Sequence, residues 1–174
     1  TLFRNLGDRH PEFASAHSGL ALSHLAEFLM GWASRPLETL NKAAHAAQLA
    51  LELDPSDSGA HAAFGVTQIW QRDHDRAMTH LDRAVELNPN DTDVIAARAL
   101  GLIFQGRPIA AFVGLENVLD ANPFAPAWYL WALAISCYNS GQYRNAVETL
   151  LRIASPNRFQ RRLLAASYAQ LGEI

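Results

Sequence analysis

The chain has little of what covalently stapled or metal-held folds depend on. Its 174 residues include one cysteine, Cys137, and one lysine, Lys42. A single cysteine cannot close an internal disulfide or build a cysteine-based zinc site, which fits a reducing compartment and a cytoplasmic location. Long apolar runs are missing too. The longest, residues 125–135, falls well short of the ~20 residues that a bilayer span needs. No basic start followed by an apolar stretch marks a signal peptide. Charge of one sign forms no block: 14 Lys and Arg stand against 17 Asp and Glu, a net charge of −3. Nucleic acid and membrane insertion are therefore not expected. What remains is an ordinary soluble composition, 49% hydrophobic with 10 Gly and 8 Pro, able to bury a sizeable core. The first residue is Thr1 and not Met, so the chain is expected to be a piece of something longer.

The sequence repeats itself. ALELDPSD (residues 50–57) recurs as AVELNPND (84–91), and Pro55, Pro89 and Pro123 are spaced 34 residues apart. Small residues keep the same step: Ala43, Ala77 and Ala111, then Ala50, Ala84 and Val118. A proline after each run ends a helix, because it lacks an N–H and biases the preceding residue away from helical dihedrals. Asp57 and Asp91, just beyond, suit the cap of the next helix. Each period holds two helical patterns split by a breaker, at residues 71–73, 106–108 and around Gly141. The reading is helices at 12–30, 37–53, 58–71, 74–87, 92–105, 108–121, 126–140, 143–154 and 158–171, with almost no strand. The first pair is longer: Pro11 and Pro55 are 44 residues apart, and the extra ten fall around residues 29–36.

These residues resemble the tetratricopeptide repeats. Phe64 and Gly65 stand where that family has Leu-Gly, Ala77 and Ala84 at its small positions, Leu81 at its apolar core position and Pro89 at its closing proline. The third period keeps Ala99, Ala111, Leu115 and Pro123. The fourth keeps Ala134, Gly141, Tyr143, Ala146 and Leu150 after one inserted residue near 124–126, with its closing proline displaced to Pro156. Arg98 departs, standing where Leu20 and Phe64 fill the equivalent place. The resemblance implies an all-α fold, a right-handed α-solenoid of stacked helix-turn-helix hairpins in a single array. Its repeats fall at 11–57, 58–91, 92–125 and 126–157, with half-repeats at 1–10 and 158–174.

Catalytic chemistry finds no foothold. No phosphate-binding, zinc-protease or nucleophile-elbow motif occurs. His17, His24 and Glu27 have spacings that could gather ligands, so a metal site is conceivable. The competing reading makes His17, His24 and His61 packing residues between helices. His74 sits in a turn, and His45 and His80 read as single surface residues on second helices. Cys137 falls on an inter-helix face, and Gly65 reads as a close approach of helices. No cofactor and no catalytic residue is assigned.

What the resemblance does imply is a concave groove, lined by one face of each first helix. In this sequence that face carries Leu22 and Leu25, then Val66, Ile69 and Trp70. It continues through Leu100, Ile103 and Phe104, and ends with Trp128, Trp131, Ile135 and Tyr138. Relatives that clamp a C-terminal carboxylate use Lys, Arg and Asn there; here Arg162 is the sole basic candidate, so no such clamp is expected. The groove is apolar and aromatic. Either curvature buries it between repeats, or it holds an amphipathic helix or extended peptide from a partner, a neighbouring copy in a homo-oligomer, or the parent chain; a small hydrophobic ligand is a further option. The function expected is a non-catalytic protein-interaction scaffold. The alternative is a regulatory or assembly tail of a bacterial signalling protein, such as a class III adenylate cyclase or a winged-helix regulator.

Overall fold

The computed structural model describes residues 2–122 and 124–173, and among them every regular element is a helix. In chain order these are α1 (Leu2–Arg9), α2 (Ala14–Leu29), α3 (Pro36–Leu53), α4 (Ser58–Trp70) and α5 (His74–Leu87). They continue as α6 (Thr92–Phe104), α7 (Pro108–Ala121), α8 (Ala127–Asn139), α9 (Tyr143–Leu151) and α10 (Arg158–Leu171). Pro123, third in the proline series, lies outside the described residues.

The helix ends are set by local chemistry. Asp57 caps α4 by accepting from the Ala60 N–H at 2.8 Å, and Asp91 accepts from the Asp93 N–H at 2.9 Å, as the sequence suggests. Asn157 and Gln160 form a reciprocal capping box at the start of α10. Five helices stop in one way: Gly31, Arg72, Gly106, Gly141 and Gly172 take positive φ between 65° and 77° just after α2, α4, α6, α8 and α10. In each case the following N–H bonds the carbonyl five residues back, for example Arg107 to Leu102 and Gln142 to Cys137, both at 2.9 Å. Arg72 is the one non-glycine in the set. The step from 72 to 106 is one period and the step from 106 to 141 is one residue more, which locates the insertion expected in the fourth repeat.

The ten extra residues of the first hairpin are shared out. Compared with the second hairpin, α2 is three residues longer than α4, the connector 30–35 three longer than 71–73, and α3 four longer than α5. The expectation of helix to residue 154 does not hold. α9 ends at Leu151, where the Arg152 and Ile153 N–H groups turn back to Thr149 and Leu150, and Pro156 keeps the residues before it out of helix.

The chain divides into two compact units within α6, between Ala97 and Arg98. In the first unit α1 packs on α2, α2 pairs with α3, α4 pairs with α5, and α4 also touches α2 and α3. One hairpin therefore stacks on the next. The repeated alanines make this possible, since Ala43, Ala50, Ala77 and Ala84 are wholly buried. A Cβ at Gly65 would lie 2.6 Å from Leu81 Cγ and 3.0 Å from the Ala77 carbonyl, so glycine is what lets α4 approach α5. In the second unit α7 packs on α8, α8 pairs with α9, and α10 touches both α8 and α9. Ala111, Leu115 and Ala146 are buried there, with Val118. Ala134, Leu150 and Ile153 form a core that Leu130, Trp131, Leu163 and Leu164 cover.

Candidate interaction surface

The face carried by the first helices splits into floor and surface. Leu25, Val66, Ile69, Leu100 and Ile103 are buried, each 6% exposed or less. They offer a ligand no area in the free chain. Leu22 at 45% and Phe104 at 38% are exposed, while Trp70, Trp128, Trp131, Ile135 and Tyr138 are partly buried. Five aliphatic members pack inward, where short branched side chains fill the space between helices, while Leu22 and Ile135 keep solvent access and a tryptophan ring outreaches that space.

Four of the accessible rings are held. In the first unit Trp70 meets Phe28 edge-on, ring centres 5.4 Å apart and planes at 70°. In the second, Trp128 stands edge-on to Tyr129 at 4.5 Å and Tyr138 to Tyr143 at 5.2 Å. Trp131 lies against the Ala134–Leu150–Ile153 core. These are rigid aromatic groups with one side fixed by packing. Phe28 falls outside the face predicted from the repeat, because that face takes the same helix length in every hairpin; the additional turn of α2 supplies it.

His17, His24 and His61 are partly buried between helices, whereas His45 is exposed. His17 Nε2 donates to the Pro11 carbonyl at 2.9 Å, and His61 Nε2 makes the equivalent bond to Pro55 at 3.1 Å, one repeat later. His24 is largely buried with Glu27 at 3.6 Å. His17, His24 and His45 line an open concavity of about 750 Å³ together with Asp8, Glu38 and Lys42. Among the described residues no group of three histidine, cysteine or carboxylate side chains is placed to hold a metal ion. His80 corrects the sequence reading: it is partly buried, touching His61 and standing edge-on to Phe64 at 4.7 Å. Cys137 is buried, and that burial, with the Glu116 carboxylate second, pushes its thiol up to about 11. At neutral pH it is protonated and unreactive.

Tetratricopeptide repeat profiles match residues 38–101 and 129–151. The chain belongs to the tetratricopeptide repeat family. Its fold class is the all-α hairpin solenoid read from the sequence, and solved structures agree. TTC0263, a thermophilic tetratricopeptide protein of Thermus thermophilus, is 19% identical with a TM-score of 0.71, covering 97% of this chain and 88% of its own. Cut9 with Hcn1, from the APC/C hetero-tetramer, is 16% identical with a TM-score of 0.72, covering 99% of this chain and 33% of its own. YrrB, described as a tetratricopeptide protein with an unusual peptide-binding site, is 16% identical with a TM-score of 0.57, covering 99% and 85%. No curated protein matches in sequence. Tetratricopeptide repeats are protein-interaction scaffolds, and this chain carries that fold. Among the described residues no helix is long and apolar enough to cross a membrane.

Proposed function

We propose that the second unit binds a protein segment, as a helix or extended peptide with bulky apolar anchors, on the accessible face formed by Phe104, Trp128, Trp131, Ile135 and Tyr138. The observation that carries this reading is the placement of Trp131. One side of its ring is fixed on the α8–α9 core while the residue keeps solvent exposure, and such anchored aromatics dominate binding hot spots. In the first unit Leu22 and Trp70 give a smaller accessible patch. The partner is another protein, a second copy, or another segment of the parent chain, and the repeats at 11–57, 58–91, 92–125 and 126–157 act as one array in a reducing, cytoplasmic setting. The loose likeness to the tails of class III adenylate cyclases and winged-helix regulators has no counterpart among the relatives named above.

Paired measurements on Trp131→Ala test the proposal. A hot spot predicts a loss of about 2 kcal/mol or more in binding energy for a selected apolar peptide. Folding stability should fall by less than the ~3–5 kcal/mol of a fully buried tryptophan. Loss of stability on that larger scale with unchanged binding would make Trp131 a core residue and overturn the reading.

A further inference from the structure

The two units differ in charge. Residues 1–97 carry thirteen Asp and Glu against seven Lys and Arg, whereas residues 98–174 carry four against seven. Part of the positive excess gathers on the first two turns of α10, where Arg158, Arg161 and Arg162 are all exposed. The Arg158 guanidinium lies over the Phe159 ring, 4.8 Å from its centre, and Arg161 Nε donates to the Pro156 carbonyl at 3.0 Å. Neither contact neutralises a charge. Among the described residues no carboxylate pairs with any of the three, although Arg35, Lys42, Arg83 and Arg144 elsewhere all have acidic partners.

The repeat register sets Arg162 on the continuation of the aromatic face, and Arg158 stacks on Phe159, which takes the neighbouring face position. Gly141 and Gly172 end α8 and α10 in the same left-handed conformation. Superposing those two ends carries Trp128 onto Phe159 and Trp131 onto Arg162. The two helices touch, and Leu163 and Leu164 of α10 cover the same core as Trp131. α10 thus continues the aromatic row of α8 with a cationic edge.

We infer that this edge selects the charge of the partner: the segment taken by the aromatic face is acidic, with Asp or Glu side chains flanking its apolar anchor. The inference rests on the binding reading above. Guanidinium groups pair carboxylates through two parallel N–H bonds, and a group already stacked on a ring has less freedom to lose when it does so. The carboxylates are internal side chains, so the segment needs no free C-terminus. A nucleic acid is the poorer fit, because three guanidinium groups release few counterions.

The test is selection of a random 16-residue peptide library, displayed with blocked C-termini, against the intact chain and against its Arg158→Glu/Arg162→Glu variant. Both sites are exposed, and thermal melting checks that the variant folds. The expected result is a wild-type consensus with a bulky apolar residue and two or more acidic neighbours. A synthetic amidated copy should lose tenfold or more in affinity on the variant, and a copy with Lys in place of Asp and Glu should gain. A consensus without acidic residues, equal binding to both chains, or displacement of the peptide by oligothymidine at equal concentration would overturn the inference. The same peptide on Trp131→Ala separates the two readings. Arginine-independent binding lost on Trp131→Ala removes the charge inference alone, while arginine-dependent binding that ignores Trp131→Ala removes the aromatic face.

Discussion

His61 Nδ1 lies 3.0 Å from His80 Nδ1. The Pro55 carbonyl on the other side of His61 can only accept, so His61 Nε2 carries a proton and its neutral Nδ1 accepts from His80. Burial first, then His61 and Arg76, hold His80 below the usual histidine range. The folded chain therefore takes up a proton at His80 less readily than the unfolded chain. Stability linked to His80 is full above the unfolded value of about 6.5 and declines as pH falls below it. Melting temperature should drop as pH falls below about 6.5, and His80→Leu should flatten the drop. An equally steep profile in the variant would assign the pH dependence to other groups.

Gly65→Ala should destabilise the second hairpin. The new Cβ would stand 2.6 Å from Leu81 Cγ and 3.0 Å from the Ala77 carbonyl, and backbone cannot swing aside as a side chain can. Overpacking of this kind costs about 1–3 kcal/mol, against a helix-propensity gain of ~1 kcal/mol. Urea unfolding should register a net loss, and a neutral or stabilising result would show that α5 moves freely away from α4.

The left-handed helix ends predict opposite signs for the same glycine change at two positions. A Cβ added at Gly106 or at Gly114 would meet no atom within 4 Å, so space decides nothing. Gly114 is inside α7, and Gly114→Ala should stabilise by about 0.5–1 kcal/mol. Gly106 has φ +77°, and Gly106→Ala should cost about 1 kcal/mol. Arg72 holds φ +65° with a side chain, so Arg72→Gly should stabilise by a few tenths to about 1 kcal/mol. Chemical denaturation of the three variants checks the signs.

Cys137 should resist thiol reagents in the native chain. A buried thiol raised to about 11 has almost no thiolate at neutral pH, so modification should follow global unfolding and slow with every stabilising substitution. Fast native-state labelling would mean that the α8–α9 contact opens locally.

The helices and their ends are legible in the sequence because the signals are local. A proline two residues past a run, an aspartate at a cap and a glycine at a left-handed turn each act within about five residues, and α3, α5, α7 and α10 end where those signals place them. α9 is shorter than its sequence suggests because its closing proline is displaced, leaving the apolar pattern to imply a longer helix than the backbone bonds support. His80 reads as a surface residue because nothing within its own helix announces His61, which lies on the neighbouring helix of the hairpin.

The 34-residue period and the small residues at fixed steps determined that this chain is built of tetratricopeptide hairpins, and the repeated alanines are buried where their helices meet. Which residues of the inner face a partner could touch was decided only by tertiary packing. The same helical positions hold Val66, sealed at 4% exposure, and Ile135, which keeps more solvent access. Side-chain spacing along one helix fixes direction, but exposure depends on how closely the next helix approaches. That distance is set by residues far away in the chain.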